Sequence, residues 1–141
     1  FAPAYMEAAI DLYREKFEPS EQLQQPYVML GFNVCAADSE DEAHLLRSSS
    51  LQSFVRLRQG NPGQLPPPIE GFEDTLSPMD KQTLAEIVRC SAVGSPQQVQ
   101  QSMGDFIERT GADELMLVCS MFDHDKRVRS LEIAAQAGAK L

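Results

Sequence analysis

The stretch YVMLGFNVCAA at residues 27–37 decides the fold, because it is apolar at nearly every position. A half-exposed strand would alternate apolar and polar residues, whereas a continuous run rich in aromatic and β-branched residues indicates a strand covered on both faces. Such strands occur in parallel sheets and barrels, where helices cover the sheet. A second run of this kind lies at residues 115–120. The sequence therefore predicts two buried parallel strands.

Helical patterns surround both strands. Residues 3–17 repeat apolar side chains at helical spacing, and Ser39 with Glu42 forms a capping box for a helix that runs to about Arg58. Ala92 and Val93 form only a short extended piece. Caps and apolar spacing predict three more helices, which start at Ser77-Pro78, at Ser95-Pro96 with a stop at Gly111, and at Asp123.

Strands that alternate with helices are typical of an α/β protein with parallel pairing. Two parallel strands cannot form a stable sheet unaided, so residues 1–141 are interpreted as one partial α/β unit, incomplete as a stand-alone domain. Residues 59–77 contain the proline and glycine run of the chain and predict a long, mobile inserted loop. A proline-rich ligand for a partner is the alternative for this loop.

The charge balance excludes several classes of function. The chain carries 21 acidic and 12 basic residues, a net charge of −9, which disfavours nucleic acid and acidic membrane surfaces as partners. Three widely spaced cysteines, Cys35, Cys90 and Cys119, suit buried apolar positions in a reducing cytoplasm better than disulfides or zinc. The first residue is Phe1 and not Met, so we expect a piece of a longer protein.

Few residues carry chemistry on their own. His44 lies in a helix and is interpreted as a surface or packing residue. His124 follows the second strand between two aspartates, where α/β proteins place active sites, but Asp123 caps a helix equally well. A small basic patch lies on the last predicted helix and is expected either to bind a phosphate or to form a solvated helix face. Its residues are Lys126, Arg127 and Arg129. No metal site is predicted.

Several segments, taken in order, resemble the C-terminal part of bacterial luciferase-like flavin-dependent monooxygenases. Each is short, but together they cover essentially the whole chain. They are FAP at residues 1–3, YREKFEPS at 13–20, PYVM at 26–29, VCAAD at 34–38, VGSP at 93–96, TGADELM at 110–116, and Asp123-His124 with residues 127–130.

The resemblance implies a TIM (β/α)8 barrel, of which this chain would be the C-terminal portion. Residues 27–37 would be the seventh strand and residues 115–120 the eighth, with flanking helices. Residues 3–17 would follow the sixth strand, whose tip would be Phe1, and the loop at 59–77 matches an insertion of the family. A complete barrel needs about 250 residues, so several strands would be absent.

The same resemblance implies oxygen activation on reduced FMN and oxidation of an aldehyde or other small organic substrate. The catalytic residues are expected in the missing N-terminal half, so this chain alone would be inactive and would not bind FMN tightly. The residues expected to form a flavin or substrate pocket wall are Phe1, Asn33, Cys35, Ser120 and Phe122. Two alternatives stay open: a non-catalytic α/β module that self-associates into a homo-oligomer, and a flavin- or substrate-binding protein without chemistry.

Overall fold

The computed structural model describes the backbone of residues 3–141 and the side chains of residues 5–85 and 89–141. Five α-helices, one short 3-10 helix and three strands follow one another in this described part. They are α1 (Pro3–Lys16), β1 (Met29–Ala36), α2 (Glu40–Arg58), the 3-10 helix (Phe72–Thr75), α3 (Pro78–Val88), β2 (Ser91–Gly94), α4 (Pro96–Thr110), β3 (Glu114–Val118) and α5 (His124–Gly138).

The three strands form one parallel sheet in the order β2-β1-β3. The carboxyl half of β1 pairs with β2, from Asn33 opposite Ser91, and its amino half pairs with β3, from Met29 opposite Glu114. The prediction of two strands was therefore wrong in number. A four-residue strand is too short to show a period, and its extended state depends on pairing with β1, which sequence patterns do not reveal.

Helices cover both faces of the carboxyl half of β1, as the apolar run predicts, whereas Met29 and Gly31 in its amino half are exposed. Phe32, Val34 and Ala36 lie on one face and pack in a cluster with residues of α4 and α5, where the ring of Phe32 lies 4.7 Å from that of Phe106. Cys35 lies on the other face and packs with residues of α2. The described chain is thus an α/β unit of three layers, compatible with part of a barrel-like fold. The barrel itself stays a prediction.

The predicted helix boundaries are largely confirmed. Asp123 caps α5 by accepting from the backbone N–H of Lys126 at 2.9 Å, and Gly111 ends α4 in the left-handed conformation with φ 60°. The capping box of α2 is correct for Ser39, whose Oγ accepts from the N–H of Glu42 at 3.3 Å. The carboxylate of Glu42 instead binds the Lys126 ammonium on α5. The Glu42 side chain therefore pairs with a charge on a distant helix and not with the backbone at the start of its own helix.

The loop at residues 59–77 lies against α2. Pro66 is buried, the Gln52 amide donates to the Pro67 carbonyl at 2.9 Å, and the Ile69 N–H donates to Ser48 Oγ at 2.8 Å. Polar side chains of α2 thus satisfy backbone groups that the prolines leave without strand or helix partners. In the described part of the chain, no helix is long and apolar enough to cross a membrane.

Candidate functional site

A cavity of about 160 Å³ lies between α2 and the sheet, on the face that carries Cys35. The strands β1 and β2 and the segment after β3 contribute polar side chains, and α2 contributes one cation, one hydroxyl and two apolar side chains. Six lining residues matter for its chemistry: Asn33, Cys35, Arg47, Phe54, Val93 and Ser120. The cavity therefore combines polar and apolar groups from the sheet and from α2.

Arg47 is the charged residue of this cavity. Its side chain is only 13% exposed, and its guanidinium Nη1 lies 3.8 Å from Glu73 Oε1, beyond hydrogen-bond distance. Among the residues that the structure describes, none hydrogen-bonds to the Arg47 side chain, and Glu73 Oε1 is itself buried without a hydrogen bond. Within this described part, Arg47 is therefore paired only through this long ion pair, and its guanidinium donors can hydrogen-bond to an anion that enters the cavity.

Cys35 lies beside Arg47 and is chemically quiet. The pKa of the Cys35 thiol is raised to about 12, mainly by burial and to a smaller extent by the neighbouring Cys119, while the Arg47 charge acts in the opposite direction. Its Sγ donates to the Ala43 carbonyl at 3.3 Å. Because the raised pKa keeps the thiol protonated at neutral pH, Cys35 suits a pocket wall and not a nucleophile.

Three of the five residues predicted as pocket wall meet in this cavity: Asn33, Cys35 and Ser120. Phe122 lies just beyond β3 with its ring 55% exposed and does not line the cavity. Phe1 lies outside the described residues. No finding tests the role of any of these residues, so the pocket wall stays a prediction.

Sequence reasoning missed Arg47, although a signal for it was present. Leu51 and Phe54 were recognised as the inward face of α2, and Arg47 precedes Leu51 by one helical turn on that same face. A cation at an inward position of a helix is unusual and indicates a partner or a ligand. The short strand β2, which supplies Val93, was also needed to recognise the cavity.

Charged residues that follow β1 form ion pairs with charged residues of α5, which follows β3. These pairs connect the helical layer of α2 with that of α5. Arg129 binds Asp38 at 2.7 Å and lowers the pKa of that carboxyl through a hydrogen bond, and Lys126 binds Glu42. Arg127 contacts His124 Nδ1 at 2.9 Å. The basic patch is thus occupied by side chains of the same chain, which favours the solvated-face interpretation over a phosphate site.

A larger groove of about 630 Å³ lies between the start of α2 and residues 69–73. Its lining is acidic, and His44 lies 3.9 Å from Glu40 and 3.7 Å from Glu73 in it. This charge repels phosphate groups. Within the described residues, no three histidines, cysteines or acids are grouped so that they could hold a metal ion.

Together, the fold and the cavity define a parallel α/β unit with a small, mixed polar and apolar ligand site beside the sheet. Its chemistry is that of binding and positioning, because the described cavity is lined by a cation, an amide, three serine hydroxyls and a protonated thiol but by no activated nucleophile.

The chain is 40% identical over 135 residues to the uncharacterized protein YvbT of Bacillus subtilis strain 168 and 38% identical over 141 residues to a luciferase-like monooxygenase of Escherichia coli K12. These matches cover 96% and 100% of this chain but 40% and 42% of the relatives. The chain thus spans about two fifths of the length of the curated relatives it matches. No family model matches the sequence.

Two solved structures share the fold. The crystal structure of apo-MsnO8 matches with a TM-score of 0.76 and 26% identity, over 97% of this chain and 42% of that protein. The monooxygenase RslO1 of Streptomyces bottropensis matches with a TM-score of 0.57 at 18% identity, over 99% of this chain and 39% of that one, which shows the fold alone. The resemblance to luciferase-like monooxygenases is therefore confirmed: the chain is related over its whole length to a segment of such proteins.

Proposed function

We propose that this chain is the C-terminal part of a luciferase-like, FMN-dependent monooxygenase that oxidises an aldehyde or another small organic substrate. The observation that carries the proposal is the 38% identity to the luciferase-like monooxygenase of E. coli, which extends over all 141 residues. In a protein of this type, reduced FMN when bound supplies the reaction with oxygen, and the protein binds, orients and excludes water. Three cysteines without a disulfide suit a cytoplasmic location.

The described residues do not fit a whole FMN. The cavity of about 160 Å³ is smaller than the roughly 300–1,000 Å³ of pockets for drug-sized ligands. The groove of about 630 Å³ is large enough, but its acidic lining opposes a phosphate. In our proposal the chain therefore contributes one wall of the site, with Asn33, Cys35 and Ser120, and most flavin contacts come from other parts of a longer protein.

We expect the isolated 141-residue chain to bind FMN weakly or not at all, because its cavity is too small and holds a single cation. Titration of FMN with the chain, followed by flavin fluorescence, measures this binding. A sub-micromolar dissociation constant would overturn the division of the site. A longer natural protein that contains this chain serves as the control, and we expect it to oxidise an aldehyde only when reduced FMN and oxygen are supplied.

One observation favours the alternative of a self-associating module without chemistry. Toward the amino half of β1, the sheet face that carries Cys35 leaves Met29 and Met116 49% and 53% exposed. An exposed apolar sheet face is a surface for association. The relatives' greater length favours cover by further segments of one chain, whereas a dimer would require a second copy to cover the same face.

A further inference from the structure

The cavity described above is lined by Arg47, whose ion pair with Glu73 is too long for a hydrogen bond, and this cation suggests a specific ligand chemistry. We propose that the cavity binds the carboxylate of a compact organic acid, with Arg47 as the anchoring cation and the apolar wall around the acid's body. This inference deepens the proposed function, since it names a ligand for the same cavity. It is independent of where the flavin binds.

The first reason to expect a carboxylate ligand lies in the surroundings of Arg47. Glu73, the carboxylate nearest to Arg47 in the ion pairs of the described chain, lies 3.8 Å away, too far for a hydrogen bond. The Arg47 side chain is only 13% exposed, and this long ion pair leaves its N–H groups without a hydrogen bond to the described residues. A ligand carboxylate could accept two parallel N–H bonds from the guanidinium, because planar carboxylates match the guanidinium fork.

The second reason is that neighbouring polar side chains can donate hydrogen bonds to the same carboxylate. The side chains of Asn33 and Ser120 line the same cavity, and among the described residues neither has a hydrogen-bond partner. Both can donate to a carboxylate oxygen. Ser50 is different, because its hydroxyl already donates to the Arg47 carbonyl at 2.8 Å. The cavity thus offers one cation and two neutral donors at its polar end.

Charge and size select a carboxylate over a phosphate. A phosphate group carries close to two negative charges at neutral pH and is best held by several cations, whereas Arg47 is the cation that lines this cavity. The net charge of −9 opposes a dianion more than a monoanion. A volume of about 160 Å³ limits the ligand to a small body, and Leu51, Phe54 and Val93 make its surroundings apolar.

Benzoate is a suitable probe, because it joins a carboxylate to a compact apolar ring. We expect the 141-residue chain to bind benzoate in calorimetric titration, and Arg47→Met to weaken that binding by about tenfold or more, since hydrogen bonds to charged groups are strong. Arg56→Met is the matched control, because it removes an equal charge from the exposed side of the same helix and should leave binding unchanged. Benzamide, the neutral analogue, should bind much more weakly.

The benzoate titration tests the carboxylate site separately from the proposed function, because it contains no flavin. Absence of benzoate binding, equal binding to Arg47→Met, or tighter binding of inorganic phosphate than of benzoate would overturn the carboxylate site and leave the flavin titration unaffected. If Arg47→Met does not fold by circular dichroism, nuclear magnetic resonance of the unmodified chain decides. Benzoate should then shift the Nε–H signal of Arg47, and a shift confined to Arg56 or no shift would contradict the site.

Discussion

Replacing Phe32 with alanine should lower the free energy of unfolding by about 3–5 kcal/mol, the usual cost of removing a buried aromatic ring. Phe32 is 1% exposed at the centre of the middle strand, and its ring packs against Phe106 of α4. The substitution leaves a void between the sheet and the helices, where β1 joins two strands and two helices. Since small domains are stable by only about 5–15 kcal/mol, this one change removes a large share of the total.

Urea unfolding followed by far-ultraviolet circular dichroism measures this effect. Phe122→Ala is the matched control, because the same side chain is removed at a position where it is 55% exposed, and the expected change there is within about 0.5 kcal/mol. A Phe32→Ala chain that is unfolded without urea agrees with the expectation. Equal unfolding midpoints for the two variants would contradict the placement of β1 at the centre of the core.

Replacing Gly94 with alanine should cost about 2–4 kcal/mol of stability for two separate reasons. Gly94 has φ 137°, a backbone conformation that other residues adopt only with strain of about 1–3 kcal/mol. A Cβ at this position would also collide with the side chain of Gln98. That side chain accepts a hydrogen bond from the Ser95 N–H at 2.8 Å, so its displacement removes a cap of α4 worth about 1 kcal/mol.

Gly63→Ala is the control for Gly94→Ala. Gly63 lies in the loop, its φ is not positive, and a Cβ there meets no atom within 4 Å, so alanine should be neutral or slightly stabilising. A double variant with Gln98→Ala reduces the collision, because the Gln98 amide group is removed, and leaves the backbone strain with a close contact of 3.0 Å to Cβ of residue 98. Thermal unfolding of the four chains measures the effects. An unchanged melting temperature in Gly94→Ala would contradict the conformation assigned to the β2–α4 junction.

The sequence carries most of the information for the fold in the run at residues 27–37 and in the helix caps. The apolar run correctly predicts a parallel strand. Burial on both faces is confirmed for its carboxyl half, where Val34, Cys35 and Ala36 are buried, but not for its amino half, where Met29 is exposed. Ser95 and Gly111 correctly mark the ends of α4, because capping is a local effect. The number of strands was wrong, because β2 has four residues and depends on its partner for its conformation.

The site was harder to predict, because it depends on which elements face each other. Asn33, Cys35 and Ser120 were named from their places along the strands, and the structure brings them to one cavity. Arg47 was missed, since an arginine in an amphipathic helix is assumed to point to solvent. Only the packing of α2 on the sheet shows that this arginine is half-buried, with 13% of its side chain exposed.

The intact mass of the protein isolated from its natural source tests the central claim most directly. This chain has a mass of 15.6 kDa and spans about two fifths of its curated relatives. If it is a segment of a luciferase-like monooxygenase, the natural protein should exceed about 30 kDa, because a complete barrel needs about 250 residues or more. A natural protein of 15.6 kDa would contradict the claim, and a dimer of that mass would favour the self-associating module instead.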